Sequence, residues 1–219
     1  MERGFSFSPE EFYHIYSRGV DRRVIFNDNK DKQHFLKLLY LCNSSERIEM
    51  RNLPHGKSVY EYKKDDALVD IGAYCLMPNH IHLLLHEHAE GGITKFMAKL
   101  LTAYLKYFNK KVNRTGALFD GRLRARNVTD DSYMHYLYSY IHLNPIKLLE
   151  PKWRDRGIKN IKEAKDFLEK YYSSSYLDFL GQKRLEEGIL SRASFPEYFS
   201  DKADFGKFID EWLRYREDY

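Results

Sequence analysis

Apolar and polar positions divide the first 150 residues into a readable order of elements. Residues 12–18 (FYHIYSR) are rich in aromatic and β-branched side chains and stop at Gly19, which predicts a strand. Asn29 can cap a helix reaching about residue 45, in which Phe35, Leu38, Leu39 and Cys42 recur at helical spacing. Residues 46–66 are polar, carry Pro54 and Gly56, and read as a loop or a short irregular strand. Residues 67–76 are mostly apolar, as expected of a buried strand. Met77, Pro78 and Asn79 make a turn, and residues 80–88 alternate as the next strand until Gly91 and Gly92 break it. An amphipathic helix is predicted over 93–112, with Phe96, Leu100, Tyr104 and Phe108 on one stripe. After a turn at 113–116, residues 117–128 read as a strand bearing Arg122, Arg124 and Arg126. Asp130 or Asp131 caps a further helix, expected to end at Asn144-Pro145 because a residue before proline resists helical geometry.

The order β-α-β-β-α-β followed by a helix predicts an α+β fold of the ferredoxin-like kind, a split βαβ sheet with helices packed on one face. Residues 1–150 make up that unit. Residues 151–219 hold short helical patterns, including 161–171 and 204–215, and are expected to form an all-helical C-terminal extension. The sequence contains no internal repeat and no low-complexity tract.

Composition narrows the class of partner. With 219 residues, 43% of them hydrophobic, and a mean hydropathy of −0.64, the chain can build a real core but has no spare apolar surface. Apolar runs such as Leu83 to Leu85 are far too short to span a bilayer, so no membrane association is expected. The first twenty residues lack the layout of a secretory signal. Two isolated cysteines, Cys42 and Cys75, suit neither a disulfide framework nor a zinc knuckle, and the expected location is a reducing cytoplasm. The formal charge of +4 is unevenly placed: residues 151–219 balance, whereas residues 95–126 hold nine basic side chains against Asp120 alone. That concentration suggests a polyanion partner, with a solvated helix face and a basic hairpin as the plainer reading.

Two constellations can carry chemistry. Period-two alternation puts His80 and His82 on one face of their strand while Ile81, Leu83 and Leu85 point to the core, and His86 and His88 share the histidine parity. Two imidazoles on one face can hold adjacent positions on a metal ion; a solvent-facing polar edge is the simpler use of such a pattern. Tyr136, Tyr140 and Asn144 are spaced i, i+4, i+8 and stack along one helical face. A phenol one turn from a carboxamide can serve as a nucleophile beside a metal ligand, since asparagine supplies a carbonyl oxygen suited to hard cations. Tyrosines packing their rings and bonding their hydroxyls account for the same helix.

Together these residues resemble a known family. Tyr74-Cys75-Leu76-Met77-Pro78-Asn79-His80-Ile81-His82-Leu83-Leu84-Leu85 resembles the His-hydrophobic-His (HUH) signature of single-tyrosine transposases. Leu118-Phe119-Asp120-Gly121-Arg122 and Tyr140-Ile141-His142-Leu143-Asn144-Pro145 resemble its later blocks, and His14-Ile15-Tyr16-Ser17-Arg18-Gly19 its first strand. Four blocks in order over about residues 10–149 are most similar to the branch of REP-associated tyrosine transposases, related to insertion-sequence transposases. The resemblance implies a ferredoxin-like enzyme that nicks and rejoins single-stranded DNA beside an imperfect hairpin through a covalent 5′-phosphotyrosine. His80, His82 and Asn144 would be the metal ligands and Tyr140 the nucleophile; some relatives carry Gln at the last ligand position. Relatives include dimers whose sites a partner chain completes and monomers that complete their own. The stretch from Tyr171 to Asp178 resembles tails of some relatives, without an assigned role.

The chemistry fits the residues. A phosphodiester anion repels nucleophiles, so a divalent cation must withdraw charge from the scissile phosphate, and nitrogen ligands suit Mn²⁺ better than Mg²⁺, although abundant Mg²⁺ can serve. Tyrosine, with an ordinary pKa of about 10, attacks weakly unless metal and nearby cations favour phenolate. A phosphotyrosine stores the bond energy, and no phosphate-binding loop for ATP is present. Arg122, Arg124 and Arg126 alternate and could line a DNA channel with Arg18 and Arg114. Lys106, Lys110 and Lys111 either contact phosphate or complement the C-terminal dipole of their helix. A non-catalytic single-strand-binding protein derived from a transposase is the alternative, and leaves His80, His82 and the Tyr140–Asn144 spacing as coincidence. A zinc hydrolase would want a further His, Asp or Glu ligand and a general base.

Overall fold

A single antiparallel sheet organises the chain. In the computed structural model, which describes residues 6–214 except Arg47, Glu49, His55 and Arg122, its strands are β1 (Glu11–Arg18), β2 (Asp70–Met77), β3 (His80–Glu87) and β4 (Arg124–Asn127). They lie in the order β2-β3-β1-β4, each pair antiparallel. This is the ferredoxin-like arrangement expected from the element order. β3 is therefore interior to the sheet, and its histidines do not sit on an edge.

Alternation on β1 and β3 gives the sheet two buried faces. Tyr13, Ile15, Ile81, Leu83 and Leu85 point to one side, where α1 (Asn29–Cys42) and α2 (Gly92–Lys111) cover them with Phe35, Leu39, Phe96, Leu100 and Tyr104. Each such side chain, fully removed from water, contributes about 1.5–3 kcal/mol. Asp28, one residue before the expected cap, bonds the N–H of Asp31 to start α1. Gly91, at φ 76°, offers no capping side chain to α2; the buried Glu87 carboxylate instead accepts from Gly91 N and Ile93 N at 2.7 and 2.8 Å. A negative group there also complements the helix dipole.

The second face departs from the one-sided packing expected. Ala73, Cys75, Met77 and Leu84 are covered by α3 (Asp131–His142) and by the chain that follows it. That chain forms α4 (Ile146–Leu149), α5 (Trp153–Arg156), α6 (Ile161–Glu169), α7 (Tyr176–Phe179) and α8 (Lys202–Arg214). One core joins Leu137 and Ile141 of α3 to Leu168, Leu177, Phe205 and Ile209. The stretch around Ser174 also runs along β2: Leu76 N donates to Ser173 O, Ser175 N to Tyr74 O, and Cys75 bridges Ser174. An edge strand left bare is a template for aggregation, and this segment covers it.

β4 is shorter than the strand expected over 117–128. Leu118 is drawn into the first core, Phe119 makes an isolated bridge to Gly19, and Asp120 N bonds Arg18 O. Gly121 then turns at φ 34°, so regular pairing begins only at Arg124.

Candidate active site

Three elements meet on the second face to form one polar cluster. β1 presents His14 and Tyr16, β3 presents His80 and His82, and α3 lies across them with Tyr133, Tyr136 and Tyr140 on its inward stripe. Tyr16 pairs with His82 and with Arg124 in register, and His14 pairs with Arg126, so these side chains share one face.

The imidazoles are held in defined orientations. His82 Nδ1 lies 2.9 Å from His14 Nε2, and His80 Nδ1 lies 2.6 Å from Asn79 Oδ1. The Asn79 carbonyl only accepts, so His80 carries its proton on Nδ1 and keeps the Nε2 lone pair free. A His82 proton donated from Nδ1 to His14 leaves its Nε2 equally free. Burial holds all three in the neutral form. It lowers His14 to about 4, helped by Arg126, and His80 to about 4, helped by Arg18 and Lys147 with Asn144 pulling weakly the other way. His82 falls well below the ordinary histidine value through burial and then through His14 and His80.

The helix supplies the rest. Tyr140 sets its ring edge-on to His82 and His14, with centroids 5.3 and 5.5 Å apart. The Arg154 guanidinium from α5 lies 4.2 Å over the Tyr140 ring and Lys147 lies 5.7 Å from it. One turn on, Asn144 is fully buried; its Nδ2 donates to Tyr140 O at 3.4 Å while its Oδ1 has no hydrogen-bond partner among the described residues. A buried amide oxygen left without a donor is costly, and it suits a cation ligand. His80, His82 and Asn144 thus fit a divalent metal by donor type, tautomer and the orphaned oxygen. Tyr138, the neighbouring phenol, points away: its ring packs on Phe179, Tyr198 and Phe199 in the second core.

A cavity of about 280 Å³ beside Tyr140 is lined by His14, Tyr16, His82, Arg126, Tyr133 and Tyr136. Arg126 stacks over Tyr133 at 4.2 Å on its wall. A second cavity of about 270 Å³ lies on the other side of Tyr140, between Tyr136, Trp153, Arg154 and Trp212.

The basic residues expected to meet DNA divide between the two sides of the sheet. Arg18, Arg124 and Arg126 belong to the histidine face; Arg124 also pairs with Asp120 at 3.1 Å. Lys106, Lys110 and Lys111 belong to α2, whose buried stripe packs on the opposite face. Lys111 is tied to Asp28 and Asp31, and Arg114 bonds Asn109 Oδ1 and Ala117 O in the turn after α2. Arg122 lies outside the described residues. Sequence reasoning did not assign His14, Lys147 or Arg154 to the site. The shared parity of His14, Tyr16 and Arg18 was the available signal for the first. Arg154 sits in a polar stretch with no local mark of its destination.

A separate group gathers at the far end of β3. Asp70, His86 and His88 form the one set of three His, Cys, Asp or Glu side chains among the described residues placed to hold a metal, with ligand atoms within 4.8 Å of one another.

The model of the family described as Transposase IS200 like matches residues 10–144. No curated protein matches the chain. Among solved structures, that of a REP-associated tyrosine transposase bound to a REP hairpin is similar over 85% of this chain and 89% of its own, at 12% identity and a TM-score of 0.46.

Proposed function

The chain belongs to the IS200-like transposase family, and from that premise we propose that it is a metal-dependent endonuclease and strand transferase for single-stranded DNA, acting beside a hairpin. The observation that carries this reading is the placement of Tyr140 against His82, one turn before the buried, partnerless Oδ1 of Asn144. A binding protein without catalysis has no use for that convergence.

His80, His82 and Asn144 would hold Mg²⁺ or Mn²⁺, which, when bound, withdraws charge from the scissile phosphate. The residues do the following. Tyr140 Oη attacks phosphorus, a new P–O bond forms, the P–O3′ bond breaks, and the departing oxygen takes up a proton as a free 3′-hydroxyl. The 5′-phosphate is left esterified to Tyr140. Attack by a DNA 3′-hydroxyl on that ester reverses the step, rejoins a strand and returns the phenol. Arg154 and Lys147, over and beside the ring, bring positive charge to where the phosphate anion would sit. Arg18, Arg124 and Arg126 face the incoming backbone, and Tyr16, Tyr133 and Tyr136 offer faces on which unpaired bases stack. Tyr140 packs on His82 of its own chain, which supports a site completed in cis.

The test is incubation of the protein with single-stranded hairpin DNA and Mn²⁺, followed by a denaturing gel. A covalent adduct is expected, absent with Tyr140→Phe or EDTA and retained with Tyr138→Phe. An adduct surviving Tyr140→Phe overturns the nucleophile; cleavage indifferent to EDTA overturns the metal role.

A further inference from the structure

We propose that Asp70, His86 and His88 form a second metal site, structural and of zinc type, independent of the reaction assigned to Tyr140. Its residues lie where β2 begins and β3 ends. His86 and His82 are four residues apart on one strand, which separates the two sites by about 13 Å.

The hydrogen-bond geometry offers a cation a seat there. His88 Nε2 lies 3.0 Å from Ala67 O, which only accepts, so the His88 proton sits on Nε2. His88 turns its Nδ1 toward Asp70 Oδ2, 3.3 Å away. His86 directs its own Nδ1 at the same oxygen from 3.2 Å, and its Nε2 lies 3.7 Å from Glu10 Oε2. Two imidazole nitrogens thus converge on one carboxylate oxygen, with outward nitrogens held by a carbonyl and faced by a second carboxylate. This is the outer-shell pattern that fixes a metal-binding tautomer.

The distances suit the ion. Four ligands at about 2.0–2.1 Å in a tetrahedron stand roughly 3.3–3.4 Å from one another. The two Nδ1–Oδ2 separations match that edge, and the three ligand atoms all lie within 4.8 Å of one another. Two imidazoles and one carboxylate are a donor set for Zn²⁺ rather than for Mg²⁺ or Ca²⁺. A water would complete the fourth position, and the ion displaces any proton shared between the imidazoles and Oδ2. Side-chain exposures of 16% for Asp70 and 34% for His88 leave an entry path.

The neighbourhood gives the site a task. Ser194 bonds Asp70, Phe195 packs on Phe12 and beside His86, and Ser191 N donates to Ile71 O. A Cβ on Gly72 would meet the Phe195 ring at 2.6 Å, so the segment is seated directly on β2. A bound ion would pin the entry to β1, the start of β2, the end of β3 and residues 191–195 together.

Metal-free full-length protein and its His80→Ala/His82→Ala variant are titrated with Zn²⁺ against a chromogenic chelator. The double variant is expected to keep one Zn²⁺ per chain, with a Zn²⁺-dependent rise in Tm, and to lose both when His88→Ala is added. Co²⁺ in the double variant should give the intense visible absorption of tetrahedral nitrogen and oxygen ligation, a readout that does not need the His88 variant to fold. A double variant that binds no Zn²⁺, a Zn²⁺ affinity unchanged by His88→Ala, or a Co²⁺ spectrum of octahedral intensity overturns the site.

Discussion

Replacing His14 by phenylalanine separates metal positioning from metal ligation at the proposed catalytic centre. His14 Nε2 lies 2.9 Å from His82 Nδ1, the two rings stack with centroids 5.1 Å apart, and both side chains are buried. Phenylalanine keeps the ring and its stacking but removes the acceptor. His82 must then bury a partnerless Nδ1–H, at a cost of about 1–3 kcal/mol, or move its proton to Nε2, the nitrogen the metal needs. At 1.4 kcal/mol per decade, the expected loss is about 5- to 140-fold in metal affinity, spanning the roughly 10- to 100-fold typical of outer-shell substitutions. The assay is single-turnover cleavage of single-stranded hairpin DNA as a function of free Mn²⁺. The curve should move to higher Mn²⁺ by that factor and reach the wild-type plateau, and His14→Gln, which restores a carbonyl acceptor, should recover much of the shift. An unmoved curve would refute the positioning role. A plateau that falls at saturating Mn²⁺ would place His14 in the chemical step instead.

Three further outcomes are expected. Arg154→Ala should slow adduct formation about 2- to 30-fold, the kinetic equivalent of a cation–π contact of about 0.5–2 kcal/mol, and an unchanged rate reduces the contact to packing. His142 is sealed in the second core and burial lowers it to about 3, so the unfolded chain takes up a proton that the folded chain refuses. Its contribution is present above about pH 6.5 and lost as pH falls toward 3, about 2 kcal/mol by pH 5; urea midpoints of His142→Gln should fall less between pH 7 and 5 than those of the wild type, and equal falls refute it. Arg126→Ala should reduce the slope of log K against log salt for single-stranded DNA by about 0.7, whereas Lys111→Ala should leave the slope and lower Tm, because Lys111 serves Asp28 and Asp31.

Strand parity is why the imidazoles could be read from the chain. Period-two alternation assigns His80 and His82 to a face opposite Ile81 and Leu83 with no knowledge of what covers that face, and the i, i+4 spacing of Tyr140 and Asn144 works in the same local way. What local periodicity does not encode is pairing across long loops. The edge of β2 is covered by residues a hundred positions later, and nothing local in Ser173 to Ser175 marks them for that edge. Arg154 reaches Tyr140 because α5 folds back over α3, a consequence of the second core. The residues before β4 alternate well enough to suggest a longer strand, yet Leu118 has a better place among Phe108 and its neighbours than in a ladder. The basic stretch is divided in a similar way: among the described residues, the lysines of α2 and the arginines of β4 lie on two sides of the sheet, because α2 packs on the face opposite the histidines.

The outward parity of β3 explains why the second layer of helices matters to chemistry. His82 and His86 are buried on a face where Leu84, between them, is sealed by the second core. A buried neutral imidazole, as burial makes His82, stabilises a fold less than leucine would, and it keeps a lone pair that cannot be solvated. A lone pair held by a neighbour at its other nitrogen, in a dry setting, is a good ligand for a cation and a poor acceptor for anything else. The two proposed metal groups on β3 differ in their third member, Asn144 at one end and Asp70 at the other. The chemistry of the two ends diverges at the third ligand. The neutral amide leaves more of the ion's charge for a phosphate, and a tyrosine stands beside it. The carboxylate would neutralise part of an ion's charge, which under the two proposals fits the first end to catalysis and the second to holding strands and tail in place.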